Sequence, residues 1–145
     1  MGYGVPAAIA AKVADRDRTV VCFAGDGDVQ MSVAELATAR QTGACPVILI
    51  LNNGIYGTIR AHQEKNYPTR VSGTEMTGNP DFVALAKAYG FHSERVTQTA
   101  DFADAFQRAL ASRTGAVLDL DISPEALTPR TSLSAIRDAA LNARR

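Results

Sequence analysis

The chain has 145 residues, 46% of them apolar and 21% charged, with fifteen Lys and Arg against fifteen Asp and Glu and a formal net charge of zero. That is one domain's worth of ordinary globular sequence, long enough to bury roughly two-thirds of its unfolded surface. It argues against a disordered tail and leaves no electrostatic footprint for nucleic acid or an anionic membrane. The longest apolar runs, residues 20–24 and 46–51, fall far short of the roughly twenty residues of a membrane span. No basic stretch precedes an apolar one at the N-terminus, so no signal peptide is expected. Cys22 and Cys45 are the only cysteines and form no C-x-x-C pair, which fits two small buried hydrophobes in a reduced, cytoplasmic setting.

Along the chain, Pro6 ahead of AAIAAKVA predicts a helix with proline in its first turn. Residues 19–24 (TVVCFA) are short, continuous and β-branched, the pattern of a fully buried strand. Ser32-Val33-Ala34-Glu35 is a capping-box pattern, predicting a helix that opens there and ends at Gly43. Residues 47–51 (VILIL) form a second buried strand. From 54 to 78 the chain is polar, punctuated by Gly and Pro and without clear periodicity, and reads as a long loop of the kind that carries function. Asn79-Pro80 starts a helix with Phe82, Leu85, Ala86 and Tyr89 at helical spacing, closed by Gly90. Residues 91–96 are a weaker strand candidate, and Phe102, Phe106 and Leu110 mark a fourth helix. In residues 116–122 (AVLDLDI), Leu118, Leu120 and Ile122 alternate with Asp119 and Asp121, which predicts a half-exposed strand near a sheet edge. A short helix with Ala135, Ile136, Ala139 and Ala140 ends the series. Strands alternating with helices give the expected fold class, α/β, with a parallel sheet covered by helices on both faces.

The first strand runs into Gly25-Asp26-Gly27-Asp28, where glycines let the backbone approach a ligand and the amides leading on toward Ser32 suit a phosphate. Asp26 adds a hard oxygen suited to Mg²⁺. A plain Gly-Asp turn closing a strand accounts for the same residues. No third glycine completes a dinucleotide fingerprint, and an EF-hand loop begun at Asp26 would place Ala37 where a glutamate is needed. The second strand ends in Asn52-Asn53-Gly54, by itself a turn. If the two strands are parallel neighbours, Asp26 and Asn53 emerge at one sheet edge, and a carboxylate, an amide oxygen and a carbonyl supply three ligands of an octahedron.

GDG, then residues 28–51, then NN resembles the cofactor motif of the thiamine-diphosphate-dependent enzymes in spacing and at both ends. The surrounding text, MGYGVPAAIAAK, LNNGIYGTIRAHQE, NPDFVALAKAYG and SPEALTPRTSL, resembles the C-terminal pyrophosphate-binding domain of the acetolactate synthase-like group. The resemblance implies a thiamine-diphosphate (pyrophosphate) binding domain over residues 1–130 and a C-terminal tail with a short helix over 131–145. It implies thiamine diphosphate and Mg²⁺ as cofactors, with Asp26, Asn53 and the backbone carbonyl of Ile55 as metal ligands. Gly25, Gly27 and Asp28 match the stretch that meets the diphosphate. Position 28 is more often a small residue in the family, so an acid here serves through its amide with its side chain turned away. Tyr56 matches a tyrosine that approaches the diphosphate in related decarboxylases, or is a packed aromatic. Met1, followed by Gly2, stands where an apolar residue wedges under the bent cofactor, or is simply a chain start.

The resemblance further implies chain ahead of Met1, two additional domains, and a glutamate on a separate pyrimidine-binding domain. Glu35, Glu64, Glu75, Glu94 and Glu125 do not match that glutamate, so the chain alone is expected to be inactive. The expected activity is that of a 2-oxo acid decarboxylase or carboligase acting on a pyruvate-type substrate. It requires a pyrimidine-binding domain in a longer chain or a partner subunit, and the assembly is a homo-oligomer. A short subunit of a split decarboxylase and a non-catalytic cofactor-binding module are the alternatives. His62 replaces the tryptophan common in acetolactate synthases proper, which leaves acetolactate itself open as the product. His62 reads as a solvated loop residue, and His92 as part of a surface strand.

Overall fold

A computed structural model describes residues 1–144. The chain forms two compact units, Met1–Asn52 with Asn79–Asp121, and Asn53–Gly78 with Ile122–Arg145. In the first unit the order is α1 (Gly4–Ala14), β1 (Val21–Gly25), α2 (Asp26–Gln30), α3 (Glu35–Thr42) and β2 (Val47–Asn52). In the second lie α4 (Gly57–Asn66) and a later run of elements. The first unit resumes with α5 (Phe82–Ala88), β3 (His92–Val96), a 3₁₀ turn at Thr99–Asp101, α6 (Phe102–Ala111) and β4 (Ala116–Asp121). β5 (Ala126–Thr128), β6 (Thr131–Ser132) and α7 (Leu133–Asn142) complete the second.

The sheet of the first unit is wholly parallel, in the order β1-β2-β4-β3. Its two faces are buried separately. On one, Val5 and Ile9 of α1, Leu36 of α3 and Phe82 of α5 cover Ala24, Ile48, Ile50 and Val117. On the other, Ala105 and Ala109 of α6 pack on Val47, Leu49 and Leu118. Helices therefore cover both faces, as an all-parallel sheet requires. Each buried Ile, Leu or Val contributes roughly 1.5–3 kcal/mol of apolar transfer. β1 lies at the sheet edge, where Phe23 is 67% exposed.

Three expectations for this unit change. β1, read as fully buried, is an edge strand paired on one side only, and its burial alternates along the strand. β4 is interior, not an edge, and Asp119 is 0% exposed. The leucine–aspartate alternation suggested a wet face, but Asp119 is satisfied from both sides. Arg95 of β3 donates to Oδ2 from Nε at 2.9 Å and from Nη2 at 2.6 Å, and Asn52 of β2 donates to Oδ1 at 3.0 Å. The Ser32 capping box does not form either. α3 starts at Glu35 with Ala34 at its cap, and the Ser32 hydroxyl is buried without a partner. Consecutive turns already use the amides of Glu35, Leu36 and Ala37, leaving nothing for Ser32 to cap. Gly43 ends the helix in the left-handed region as expected, at φ 68°.

The second unit corrects the reading of residues 54–78 as an aperiodic loop. It contains the ten-residue α4, which packs on α7. The buried position of α4 is Glu64, 1% exposed, and a buried charge carries no hydrophobic periodicity. Glu64 Oε1 accepts from Arg60 Nε at 3.1 Å and from Arg137 Nη1 of α7 at 3.3 Å. The rest of the segment folds back on itself: Tyr56 donates its amide to the Thr74 carbonyl at 2.9 Å, and Met76 to that of Gly54 at 2.8 Å.

Two positions test this architecture. Gly115 precedes β4 at φ 73°, and a Cβ there would lie 2.6 Å from Cys45 Cβ, 2.8 Å from the Pro46 carbonyl and 2.9 Å from Phe91. Gly115→Ala should cost about 3 kcal/mol in denaturant unfolding, through left-handed backbone strain and overpacking together. Glu94 of β3 is held at a pKa of about 2, below its ordinary 4.5, mainly by Arg108 of α6 and then by His92. A depressed carboxyl stabilises the fold fully above 4.5 and loses that contribution as pH falls toward 2. Glu94→Gln should lower the melting temperature by about 2–4 °C at pH 7, a modest effect for a partly solvated pair. The gap to the unaltered chain should close as melts are repeated between pH 4.5 and 2.

Candidate functional site at the carboxyl ends of the strands

In a parallel sheet all strands point the same way, so the loops that leave their carboxyl ends gather on one side, where such sheets bind ligands. The register of β1 on β2 pairs Gly25 with Leu51, which ends the two strands level. β1 passes into α2 without a loop. Gly25 remains extended, at φ −70° and ψ 160°, and Asp26 is already the first helical residue. Asp26 and Gly27 are buried, with Asp26 only 2% exposed. Its carboxylate accepts from Asn79 Nδ2 at 2.7 Å, and Asn79 Oδ1 in turn accepts from Gln30 Nε2 at 2.7 Å.

Asp28, on the same short helix, accepts the amide of Gly2 at its Oδ1. That contact holds the start of α1. Gly2 lies at φ 79°, and a Cβ on it would sit 3.1 Å from Met31 Cβ, so the chain passes closely there only because position 2 is glycine. Met1 is 68% exposed and Tyr3 79%. Beneath them Cys22 is buried; burial pushes its thiol pKa up, and the Asp28 carboxylate pushes it further. Cys22 and Cys45 are both free thiols.

The other expected residues lie in the second unit, directly after β2. The Asn53 side-chain oxygen accepts the amide of Ile55 at 3.1 Å, closing a tight turn that fixes the amide group over the backbone. Ile55 is buried and bridges to Glu75, and Tyr56 leads into α4. His62 is exposed on α4, not on a loop, and with Lys65 and residues of α7 lines a cavity of about 610 Å³. His92 is on β3, where its Nε2 lies 2.7 Å from Glu94 Oε1.

Each unit offers oxygen donors suited to a hard cation, the Asp26 carboxylate in the first and the Asn53 and Ile55 oxygens in the second. Among the described residues no cluster of three or more His, Cys, Asp or Glu could hold a metal. A metal site here would use one carboxylate with amide and carbonyl oxygens, the oxygen ligands favoured by Mg²⁺ and unsuited to zinc. Sequence reasoning took Asn79 only as the start of α5 and did not single out Gln30. Asn79 touches Asp26 across 53 residues of chain, and Gln30 touches Asn79 across 49, separations that no local pattern reports.

Comparison with known proteins bears on the same residues. Residues 1–120 match the family described as thiamine pyrophosphate enzyme, C-terminal TPP binding domain. The acetolactate synthase large subunit of Buchnera aphidicola subsp. Acyrthosiphon pisum (strain APS) is 39% identical over 111 residues, covering 77% of this chain and 19% of that protein. Acetolactate synthase isozyme 2 large subunit of Escherichia coli (strain K12) is 42% identical over 98 residues, covering 68% and 18%. The solved thiamine diphosphate-dependent 4-hydroxybenzoylformate decarboxylase of Rhodococcus jostii RHA1 superposes with a TM-score of 0.78 at 35% identity, covering 85% of this chain and 23% of that one. The chain thus spans about a fifth of the length of the relatives it matches. With a parallel sheet carrying GDG and NN at the carboxyl ends of adjacent strands, it belongs to the thiamine pyrophosphate enzymes as a C-terminal TPP-binding domain of the acetolactate synthase-like group.

Proposed function

We propose that this domain serves a 2-oxo acid decarboxylase or carboligase of the acetolactate synthase-like kind, acting on a pyruvate-type substrate. The observation that carries the reading is Asp26, a buried carboxylate seated at the first residue beyond β1, within a matching family domain. In this reading Asp26, the Asn53 side-chain oxygen and the Ile55 carbonyl bind Mg²⁺. The backbone of Gly25, Gly27 and Asp28, with the Tyr56 side chain, receives the diphosphate, and Met1 packs against the cofactor body. When bound, the cofactor's thiazolium supplies the electron sink for decarboxylation. The protein's share is to hold the charged end still and to neutralise it.

Several features support this division of labour. The Asp28 carboxylate is engaged with the Gly2 amide, and in this reading its backbone N–H meets the diphosphate. The Asn53–Ile55 turn orders the two oxygen donors that follow β2. No glutamate of the chain matches the one that would protonate the aminopyrimidine, so a pyrimidine-binding domain, in a longer chain or a partner subunit of a homo-oligomer, completes the active site. We place that assembly in the cytoplasm.

Calorimetric titration with thiamine diphosphate, with and without Mg²⁺, tests the reading. Asp26→Ala should abolish the Mg²⁺-dependent component, since it deletes the one charged oxygen of the ligand set. Binding by that variant equal to the unaltered chain would refute the metal assignment. With pyruvate added, CO₂ release by the chain alone should match a free-cofactor control and rise only when a pyrimidine-domain chain is supplied. Steady turnover without it would mean that an acid–base residue lies within these 145 residues. No release with it would favour a non-catalytic cofactor-binding module.

A further inference from the structure

We infer that Asn79 and Gln30 are positioning residues, a two-amide relay that fixes the Asp26 carboxylate in the orientation a divalent cation needs. The inference rests on the reading of Asp26 as a Mg²⁺ ligand and extends it to two residues outside the cofactor motif. Gln30 Nε2 donates to Asn79 Oδ1 at 2.7 Å, and Asn79 Nδ2 donates to Asp26 Oδ2 at 2.7 Å. Direction matters in this chain. A carboxamide presents a donor at one end and an acceptor at the other, and turned over, Asn79 would aim its oxygen at a carboxylate. Gln30 engages the oxygen end, and so keeps the donor end on Asp26. Successive amide dipoles aligned this way strengthen one another, most where the final acceptor is charged and buried. Asp26 is such an acceptor, at 2% exposure.

The alternative role for Asn79, capping the helix it precedes, is already filled. α5 is capped by Asp81, whose Oδ1 accepts the amides of Val83 at 2.9 Å and Ala84 at 3.0 Å. The Asn79 side chain is therefore spent on Asp26, across 53 residues of chain. The choice of a neutral donor also follows from the task. Lysine or arginine at this place would set a fixed positive charge beside the carboxylate and compete with a cation, whereas an amide orients it and leaves its charge intact. Outer hydrogen-bond partners of metal ligands typically account for about 10–100-fold in metal affinity.

The test compares the full chain with Asn79→Ala, Gln30→Ala, the double variant and Asp26→Ala, by calorimetry of Mg²⁺ binding in the presence of thiamine diphosphate and by melting without either. Asn79→Ala should weaken Mg²⁺ about 10-fold, with the ligand-free melting temperature within about 2 °C of the unaltered chain. Gln30→Ala, on an exposed side chain, should weaken it about 3-fold, the low end expected of a partner one step further out. The double variant should be no worse than Asn79→Ala, because Gln30 acts only through Asn79. Unaltered Mg²⁺ affinity in Asn79→Ala, or a lowered melting temperature as its sole effect, would overturn the relay while a null result for Asp26→Ala alone would overturn the metal reading beneath it. If Asn79→Ala does not fold, Gln30→Ala decides: wild-type affinity there defeats the relay. An unaltered chain that shows no Mg²⁺-dependent binding defeats both.

Discussion

The parallel pairing of β1 with β2 is the constraint on which the rest of this domain depends. Parallel strands must end on the same side of the sheet, and the Gly25–Leu51 register ends these two level with each other. What leaves β1 is a carboxylate in a helix that starts without a loop, and what leaves β2 is a pair of asparagines. The first strand passes straight into the helix, Gly25 still extended and Asp26 already helical. Had β1 and β2 been antiparallel, the GDG and NN segments would lie at opposite ends of the sheet.

Buried charge is the second organising feature, and each unit handles it in the same way. Asp119, fully inside the sheet layer, takes a two-nitrogen clasp from Arg95 and an amide from Asn52. Glu64, inside the second unit, is shared between Arg60 and Arg137. Desolvating a carboxylate is costly, and such pairs are weak evidence for net stability, although breaking one leaves a buried charge that costs several kcal/mol. Their effect here is on arrangement. The Asp119 cluster ties the carboxyl ends of β2, β4 and β3 together, and Asn52, one residue before Asn53, is part of it. The Glu64 cluster ties α4 to α7.

Several large apolar side chains of the first unit stand in solvent. Phe23 stands on an edge strand with most of its ring in solvent, and Met1, Tyr3 and Met31 are also exposed. Apolar groups are tolerated singly on a surface, but an unpaired strand edge with an exposed aromatic is a template for association.

Local signals in the sequence were enough to determine the α/β class, the presence of the first two strands, the helix that ends at Gly43 and the GDG and NN endpoints, because each depends on residue types a few positions apart. Hydrophobic continuity, the left-handed preference of glycine and motif spacing all act at that range. Only the tertiary structure decided that β4 lies inside the sheet, that residues 57–66 are helical and that Ser32 caps nothing. In the first two cases a charged residue occupies a buried place, and it does so because its partner arrives from afar: Arg95 for Asp119, and Arg137 for Glu64. Asn79 and Gln30 escaped for the same reason. A polar side chain's partner is set by where the chain returns in space, and nothing in the residues around it states that address.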